Sequence, residues 1–271
     1  MPVDLKAGFG RRDVVLLTLD ALRYDVAVAA QTPVLAGLVG AWERRHSPAT
    51  FTLPAHEAIF AGFFPTPVDR PDAVRPIAMR FPGSRSTGPA TLVLNAPCLV
   101  RGYAAAGYRT ICVGGTGFFD PTHPIGAALT ARFDVVVRTP AMGVGSPTSP
   151  RAQLDAAADL LDTCPPDQRA LLFVNLSATH PPTRPFLRGA REESTATQAA
   201  ALVAIDRALP TLLAAIDRRG GASLIMGADH GTCFGEDGVV GHRVPHPKVW
   251  EVPWAEVERT AMGATFAPET P

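Results

Sequence analysis

The stretch Val14-Val15-Leu16-Leu17-Thr18-Leu19-Asp20 decides the fold, because an apolar run ends there in a carboxylate. Such a run, which begins at Asp13, is typical of a strand buried on both faces of a parallel sheet. A second run, Leu224-Ile225-Met226-Gly227-Ala228, leads into Asp229-His230-Gly231. Ligands of parallel sheets bind beyond the carboxyl ends of the strands. The two runs therefore predict one functional site at that edge of a sheet.

The rest of the chain alternates between strand-like apolar runs and helical stretches rich in Ala and Leu. Further strands are predicted at 109–114, 133–137, 170–176 and 223–226, and helices at 33–42, 55–61, 92–106, 151–164 and 197–219. Pro97 indicates that the helix within 92–106 has its proper start near that residue. This alternation predicts an α/β protein with three α/β/α layers and a mainly parallel central sheet. The Pro-rich segment 65–89 is predicted to be a long loop or a lid, and the segment 140–150 a loop.

Composition excludes several classes of partner. The chain has 271 residues, 46% of them hydrophobic, and its 25 basic and 25 acidic side chains give a formal net charge of +0. Such a balance favours neither nucleic acid nor an anionic membrane as partner. The N-terminus shows no signal-peptide pattern, no run of 18 apolar residues occurs, and the four cysteines form no Cys-x-x-Cys pair. These observations predict a cytoplasmic protein that contacts no membrane; they leave its oligomeric state open.

Thr52, in the segment Thr50-Phe51-Thr52-Leu53-Pro54-Ala55-His56, is the candidate nucleophile. A threonine hydroxyl is a weak nucleophile at neutral pH, and coordination to a divalent cation lowers its pKa. Two carboxylates and an imidazole suit such a cation. We therefore predict one divalent metal ion (Mn, Zn, Mg or Ca) bound by Asp20, Thr52, Asp229 and His230.

Three further histidines are predicted to act near this ion. His180, in His180-Pro181-Pro182, and His242 are predicted to bind nonbridging oxygens of the substrate or to protonate its leaving group. His56 has two open interpretations, since it either orients a phosphoryl oxygen or caps the helix. Backbone N–H groups at the start of the helix after Pro54 are predicted to hold the anion.

The ordered set of these motifs resembles the alkaline phosphatase superfamily, on its sulfatase and phosphodiesterase side. The segments that carry the resemblance are 16–25, 52–62, 107–114, 133–134, 175–182 and 228–253. Because it runs from about residue 13 to 254, it implies a single catalytic domain over 1–271, with 255–271 as a C-terminal tail. It also implies a metal-dependent hydrolase or phosphotransferase. The implied substrates are small phosphate monoesters or diesters, or phosphonate esters.

The chain departs from the family pattern at several positions. Thr52 stands where sulfatases have Cys or Ser, so the formylglycine of sulfatases cannot form. Ala21 replaces a second aspartate, and Gly115 stands at the position of a sulfatase lysine. The segment 175–179 contains no acid, which favours one metal ion over two. A sulfatase-like enzyme, a phosphomutase-like enzyme and a catalytically degenerate scaffold protein remain as alternatives.

Overall fold

The computed structural model describes residues 3–62 and 98–260, together with the backbone of two short strands between them. The strands are β1 Asp13–Leu19, β2 Glu43–His46, β3 Ile77–Met79, β4 Leu92–Leu94, β5 Arg109–Val113, β6 Val135–Val137, β7 Ala170–Leu176, β8 Gly221–Gly227, β9 Cys233–Phe234, β10 Val240–Gly241 and β11 Glu251–Thr260. The helices are α1 Leu5–Gly8, α2 Tyr24–Ala29, α3 Pro33–Val39, α4 Thr52–Ala61, α5 Leu99–Ala105, α6 Pro124–Thr130, α7 Ser149–Asp162, α8 Thr195–Arg218 and α9 Pro247–Trp250.

A seven-stranded sheet forms the centre of the fold, with the strand order β2-β11-β8-β1-β7-β5-β6. Strands β8, β1, β7, β5 and β6 run parallel, whereas β11 is antiparallel to both β8 and β2. Every residue of β1 and β7 is buried, as expected for strands covered on both faces. The predicted α/β class and the mainly parallel sheet are confirmed.

Helices cover the two faces of the sheet and complete the three layers. Side chains of β1 alternate between the faces, because successive residues of a strand point to opposite sides. Val15, Leu17 and Leu19 pack in one core cluster with residues of α2, α3, α7 and α8. Val14 and Leu16 belong to a second cluster, which includes residues of α4, α5 and α6.

Helix α8 is long and apolar enough to cross a membrane by length and composition, and it is the one such helix among the residues that the structure describes. Of its apolar window, 56% is buried inside the fold. Its polar side chains also bond within the core: Gln198 donates to the carbonyls of Ala21 and Thr179, and Asp206 accepts from the amide of Leu35. The helix therefore packs as a core helix of this domain.

Three boundaries differ from those predicted. Residues 255–260 are not part of a tail, because β11 pairs with β8 as far as Thr260. Helix α5 begins at Leu99, close to the start that Pro97 indicates in the sequence, but the first part of the predicted helical stretch, residues 92–94, is a strand. Helix α4 begins at Thr52 rather than at 55. The predicted loop or lid at 65–89 lies outside the described residues except for the backbone of β3, and residues 261–271 also lie outside them.

Candidate metal centre and active site

Asp20, Asp229 and His230 meet at the carboxyl end of the sheet. Asp20 directly follows β1, and Asp229 comes two residues after the end of β8, its parallel neighbour. One ligand atom from each of the three residues lies within 4.8 Å of the others. None of the three has exposed surface. The sheet thus brings Asp20 next to Asp229 and His230, which follow it by more than 200 positions in the sequence.

One oxygen of each carboxylate is hydrogen-bonded, and the other faces the cluster. Asn175 Nδ2 donates to Asp20 Oδ2 at 2.8 Å, and the amides of Ala21 and His230 donate to Asp229 Oδ1 at 3.1 and 3.0 Å. Asp20 Oδ1 and Asp229 Oδ2 are buried without a hydrogen-bond partner in the described part of the chain. An unsatisfied buried carboxylate oxygen is costly, and a bound cation would satisfy both.

The orientation of His230 completes the ligand set. Its Nδ1 lies 2.9 Å from the carbonyl oxygen of Gly231, so Nδ1 carries the proton because a carbonyl can only accept. Nε2 then presents its lone pair 3.4 Å from Asp229 Oδ2 and 3.8 Å from Asp20 Oδ1. A hydrogen bond from the second ring nitrogen to a carbonyl is the usual way in which proteins orient a metal-binding histidine.

Thr52 Oγ1 lies 3.3 Å from His230 Nε2, so the hydroxyl adjoins the same cluster. Neighbouring ligands of a tetrahedral zinc ion with bonds of about 2.0 Å are about 3.3 Å apart. The measured separations around Nε2, from 3.3 to 3.8 Å, are close to that spacing. The residues present therefore fit a divalent cation with mixed oxygen and nitrogen ligands.

Burial strongly shifts the ionisation of this cluster. It raises the pKa of Asp229 to about 7. Burial and, after it, the nearby charge of Asp229 raise the pKa of Asp20 to about 6. Burial also lowers the pKa of His230. A cation opposes the desolvation of the two carboxylates, because it favours their charged form.

Helix α4 places Thr52 at its first position, directly after Phe51. Pro54 lies in the first turn, where its missing N–H removes no helical hydrogen bond. The first amides of a helix have no acceptor within the helix, and they favour anions. In α4 these free amides belong to Thr52 and Leu53, because the helix begins at Thr52. They lie at the residue that contacts the metal cluster. The sequence had instead predicted that amides following Pro54 hold the anion.

His180 and His242 lie beside this centre. The His242 ring centroid is 4.7 Å from that of His230 and 5.2 Å from that of His180. Both side chains line a pocket of about 1030 Å³, together with Thr52. Burial lowers the pKa of His242 to about 3, so its ring is neutral at neutral pH. Their roles toward a substrate remain predictions.

His56 lies behind Thr52 and away from the pocket. Its Nδ1 donates to the Thr52 carbonyl at 2.7 Å, and its Nε2 accepts from Thr18 Oγ1 at 3.1 Å. Burial lowers its pKa to about 3, and the side chain has no exposed surface. Three aromatic rings pack around it: Phe60, Phe119 and Phe173. The predicted substrate contact does not fit this position. The capping alternative does not fit either, because a capping side chain accepts from a free N–H of the first turn, whereas His56 donates to a carbonyl and α4 has no side-chain cap.

Two residues near the site were not predicted from the sequence. Asn175 is buried in β7 and connects Asp20 to the amide of Thr116, which donates to Asn175 Oδ1 at 2.9 Å. Thr116 lines the pocket, and its buried Oγ1 has no hydrogen-bond partner among the described residues. An amide inside an otherwise apolar strand was the available signal for Asn175.

Of the departures noted in the sequence, Gly115 has a local structural explanation, whereas nothing in the structure explains Ala21 in place of an aspartate. A Cβ at Gly115 would lie 2.3 Å from the carbonyl oxygen of Asn175, so a lysine there would require the backbone to move. Ala21 has a φ of 58°, which is unusual for a residue other than glycine. This conformation accompanies the hydrogen bond from its amide to Asp229 Oδ1.

No protein-family model and no curated protein matches the chain. Among solved structures, it is similar to the zinc complex of the C-terminal periplasmic domain of EcEptC from Escherichia coli. The identity is 14%, the TM-score is 0.62, and the match covers 91% of this chain and 72% of that one. The integral membrane protein lipooligosaccharide phosphoethanolamine transferase A from Neisseria meningitidis matches with 16% identity and a TM-score of 0.63. That match covers 93% of this chain and 48% of the transferase.

The lipoteichoic acid synthase LtaP from Listeria monocytogenes is also similar, with 12% identity and a TM-score of 0.62, over 93% of this chain and 66% of that one. The shared architecture is a three-layer α/β/α fold with a mainly parallel sheet. It is the fold of the alkaline phosphatase superfamily, so the resemblance stated from the sequence is confirmed at the level of the fold.

The predicted cytoplasmic location is contradicted by these comparisons. The matched structures include periplasmic domains and an integral membrane protein. Net charge and a missing signal-peptide pattern were the basis of the prediction, and neither determines where a domain of this fold resides. The predicted absence of a membrane partner is left without support for the same reason.

Proposed function

We propose that the chain is a metal-dependent phosphotransferase or hydrolase in which Thr52 accepts the phosphoryl group of an ester substrate. The proposal rests on one observation: Thr52 Oγ1 adjoins His230 Nε2 and the metal cluster that contains the unpaired oxygens of Asp20 and Asp229. We propose zinc as the ion, because the mixed ligands suit it and the similar EcEptC domain was solved as a zinc complex.

A bound divalent cation lowers the pKa of a coordinated hydroxyl and stabilises negative charge on phosphoryl oxygens. Thr52 Oγ1 then forms a bond to phosphorus, and the ester bond from phosphorus to the leaving oxygen breaks. The hydroxyl proton passes to solvent, and the leaving oxygen takes up a proton. Water or the hydroxyl of an acceptor subsequently attacks phosphorus and releases Thr52.

The other residues of the site orient the phosphoryl group. The amides of Thr52 and Leu53 donate to its nonbridging oxygens at the start of α4. His242 is neutral at neutral pH because burial lowers its pKa to about 3. It is therefore a hydrogen-bond donor to a nonbridging oxygen rather than an acid for the leaving group. His180 is the remaining candidate for protonating the leaving oxygen.

The proposal is tested with the zinc- or manganese-loaded protein and four esters: p-nitrophenyl phosphate, bis-p-nitrophenyl phosphate, a phenylphosphonate ester and p-nitrophenyl sulfate. We expect turnover of a phosphorus ester that is lost in Thr52→Ala and retained in Thr148→Ala, a matched variant at an exposed threonine. Acceptor alcohols added to the assay distinguish transfer from hydrolysis. Full activity of Thr52→Ala would exclude the covalent mechanism, and preference for the sulfate ester would favour the sulfatase-like alternative.

A further inference from the structure

Arg243 lies at the same pocket as Thr52, His180 and His242, and its side chain is exposed. Within residues 3–62 and 98–260, no carboxylate forms an ion pair with it. Arg23, by contrast, is buried and pairs with Asp25 and Glu236. The charge of Arg243 is thus available to an anionic ligand.

The backbone holds Arg243 in an unusual conformation. Its φ is 72°, in the left-handed region that residues other than glycine rarely occupy. The Arg243 amide donates to the carbonyl of Thr50 at 2.9 Å, two residues before Thr52. Strained conformations persist where surrounding contacts enforce them, and they concentrate at functional sites. This contact ties the position of Arg243 to the segment that carries the nucleophile.

An aromatic ring supports the guanidinium. Arg243 Cζ lies 4.8 Å from the ring centroid of Phe51, a cation–π distance. The Phe51 ring is 6.3 Å from the ring of Phe118, which lines the pocket. The donors of a guanidinium lie along its planar edge, so contact through the face leaves them available for hydrogen bonds to an anion.

The reacting phosphoryl group does not account for this cation. In the proposed mechanism, Thr52, the first amides of α4 and the two pocket histidines already bind that group. The pocket, at about 1030 Å³, has the size of sites that enclose a drug-sized ligand. Phe118, Ile125 and Val144 provide an apolar wall for the remainder of such a ligand.

We propose that Arg243 binds a second anionic group of the substrate, carried by the part of the ester that extends beyond the reacting phosphoryl group. This inference rests on the proposed function of the Thr52 site. The substrate class is a phosphorus ester with an apolar or aromatic body and a further carboxylate or phosphate. Arg243 is then a specificity-determining residue, and it takes no part in the bond that forms or breaks.

The test compares the binding of two kinds of non-reactive ligand to zinc-loaded protein by calorimetry. The charged ligands are phenylphosphonates with a carboxylate at position 3 or 4 of the ring. Two isomers are used because they present the carboxylate in different directions relative to the phosphonate. The matched neutral ligands carry a carboxamide at the same position. The variants are Arg243→Met and Arg243→Lys, with Arg207→Met on α8 as the control at an exposed arginine.

We expect the wild-type protein to bind the better carboxylate isomer about tenfold more tightly than its amide, as for a charge-assisted hydrogen bond. Arg243→Met removes this preference, Arg243→Lys retains part of it, and Arg207→Met leaves it unchanged. Equal binding of carboxylates and amides by the wild type would overturn the proposal. An unchanged preference in Arg243→Met would also overturn it, even if that variant bound every ligand more weakly.

The two proposals fail in different ways. Binding of the ligands is measured without turnover, so a protein that hydrolyses no ester can still show the carboxylate preference. An active enzyme without that preference would retain the proposed function and lose only the role of Arg243.

Discussion

His230 Nε2 lies 3.3 Å from Thr52 Oγ1, although 178 positions separate the two residues in the chain. The contact joins the carboxyl end of the sheet to the first residue of α4. A histidine whose Nδ1 is held by a backbone carbonyl can direct only Nε2 toward the threonine. The proposed nucleophile and the proposed metal ligands are therefore one structural unit, and changes to either should affect metal binding.

Asn175→Ala should weaken zinc binding by about 10- to 100-fold, as for other residues that orient a ligand. The reason is that Asn175 Nδ2 donates to Asp20 Oδ2 at 2.8 Å and so directs Oδ1 toward the cluster. Affinity is measured by competition with a chromophoric chelator. Gln31→Ala, at an exposed amide, is the control and should bind zinc as the wild type does. Equal affinity of Asn175→Ala and wild type would show that Asp20 needs no such support.

Zinc affinity should rise at least tenfold between pH 5 and pH 7, and it should level off at higher pH. Burial raises the pKa of Asp20 to about 6 and that of Asp229 to about 7, so both carboxyls hold protons in the metal-free protein at pH 5. Zinc must displace these protons, and the competition ends once the carboxyls are ionised. Chelator competition across this pH range measures the effect, and pH-independent affinity would contradict it.

The fold and the centre of the site could be predicted because their signals are local. Apolar runs that end in Asp20 and in Asp229-His230 indicate buried parallel strands, and the geometry of parallel sheets brings their ends together. The role of Asn175 could not be predicted in this way. It depends on the register of β1 beside β7, where Thr18 is opposite Asn175, and register is a tertiary property.

The pairing of β11 and the environment of His56 could not be predicted from the sequence, for different reasons. Alternation along β11 puts Ala255 and Val257 against the core, while Glu256 and Glu258 bond to other segments. The pattern is present in the sequence, but it did not lead us to expect an antiparallel strand between β2 and β8 in a mainly parallel sheet. His56 is adjacent to the nucleophile motif, and only packing reveals that its ring lies among aromatic side chains.

His56→Phe should lower the free energy of unfolding by about 1–3 kcal/mol, because it removes two buried hydrogen bonds and leaves Thr18 Oγ1 without its acceptor. Urea unfolding of the zinc-loaded protein measures the loss. Affinity for phenylphosphonate should change by less than about twofold, as expected for a histidine outside the pocket. A large loss of phenylphosphonate affinity without a loss of stability would restore the substrate-binding interpretation.

The metal-free protein should become less stable as the pH rises from about 4 to about 7, by on the order of a few kcal/mol. The folded pKa values of Asp20 and Asp229, about 6 and 7, lie above the ordinary aspartate pKa of 3.8, so the folded state binds more protons in this range. Stability contributed by those protons is fully present below the unfolded pKa and is lost as the pH rises through the folded values. Urea unfolding of chelator-treated protein at pH 5 and pH 8 measures the change.

The variant Asp229→Asn tests whether ionisation of Asp229 causes this loss of stability, because an amide of the same shape cannot ionise. The variant should be more stable than the metal-free wild type at pH 8, and its dependence on pH should be shallower. It should also lose most of the stabilisation that zinc gives the wild type, since binding to the folded state alone is what stabilises it. Asp217→Asn, at a surface ion pair with Arg259, is the control and should leave both effects in place. A catalytically degenerate scaffold protein that binds no metal would show the pH dependence without any response to zinc, so the two readouts together distinguish that alternative from an enzyme.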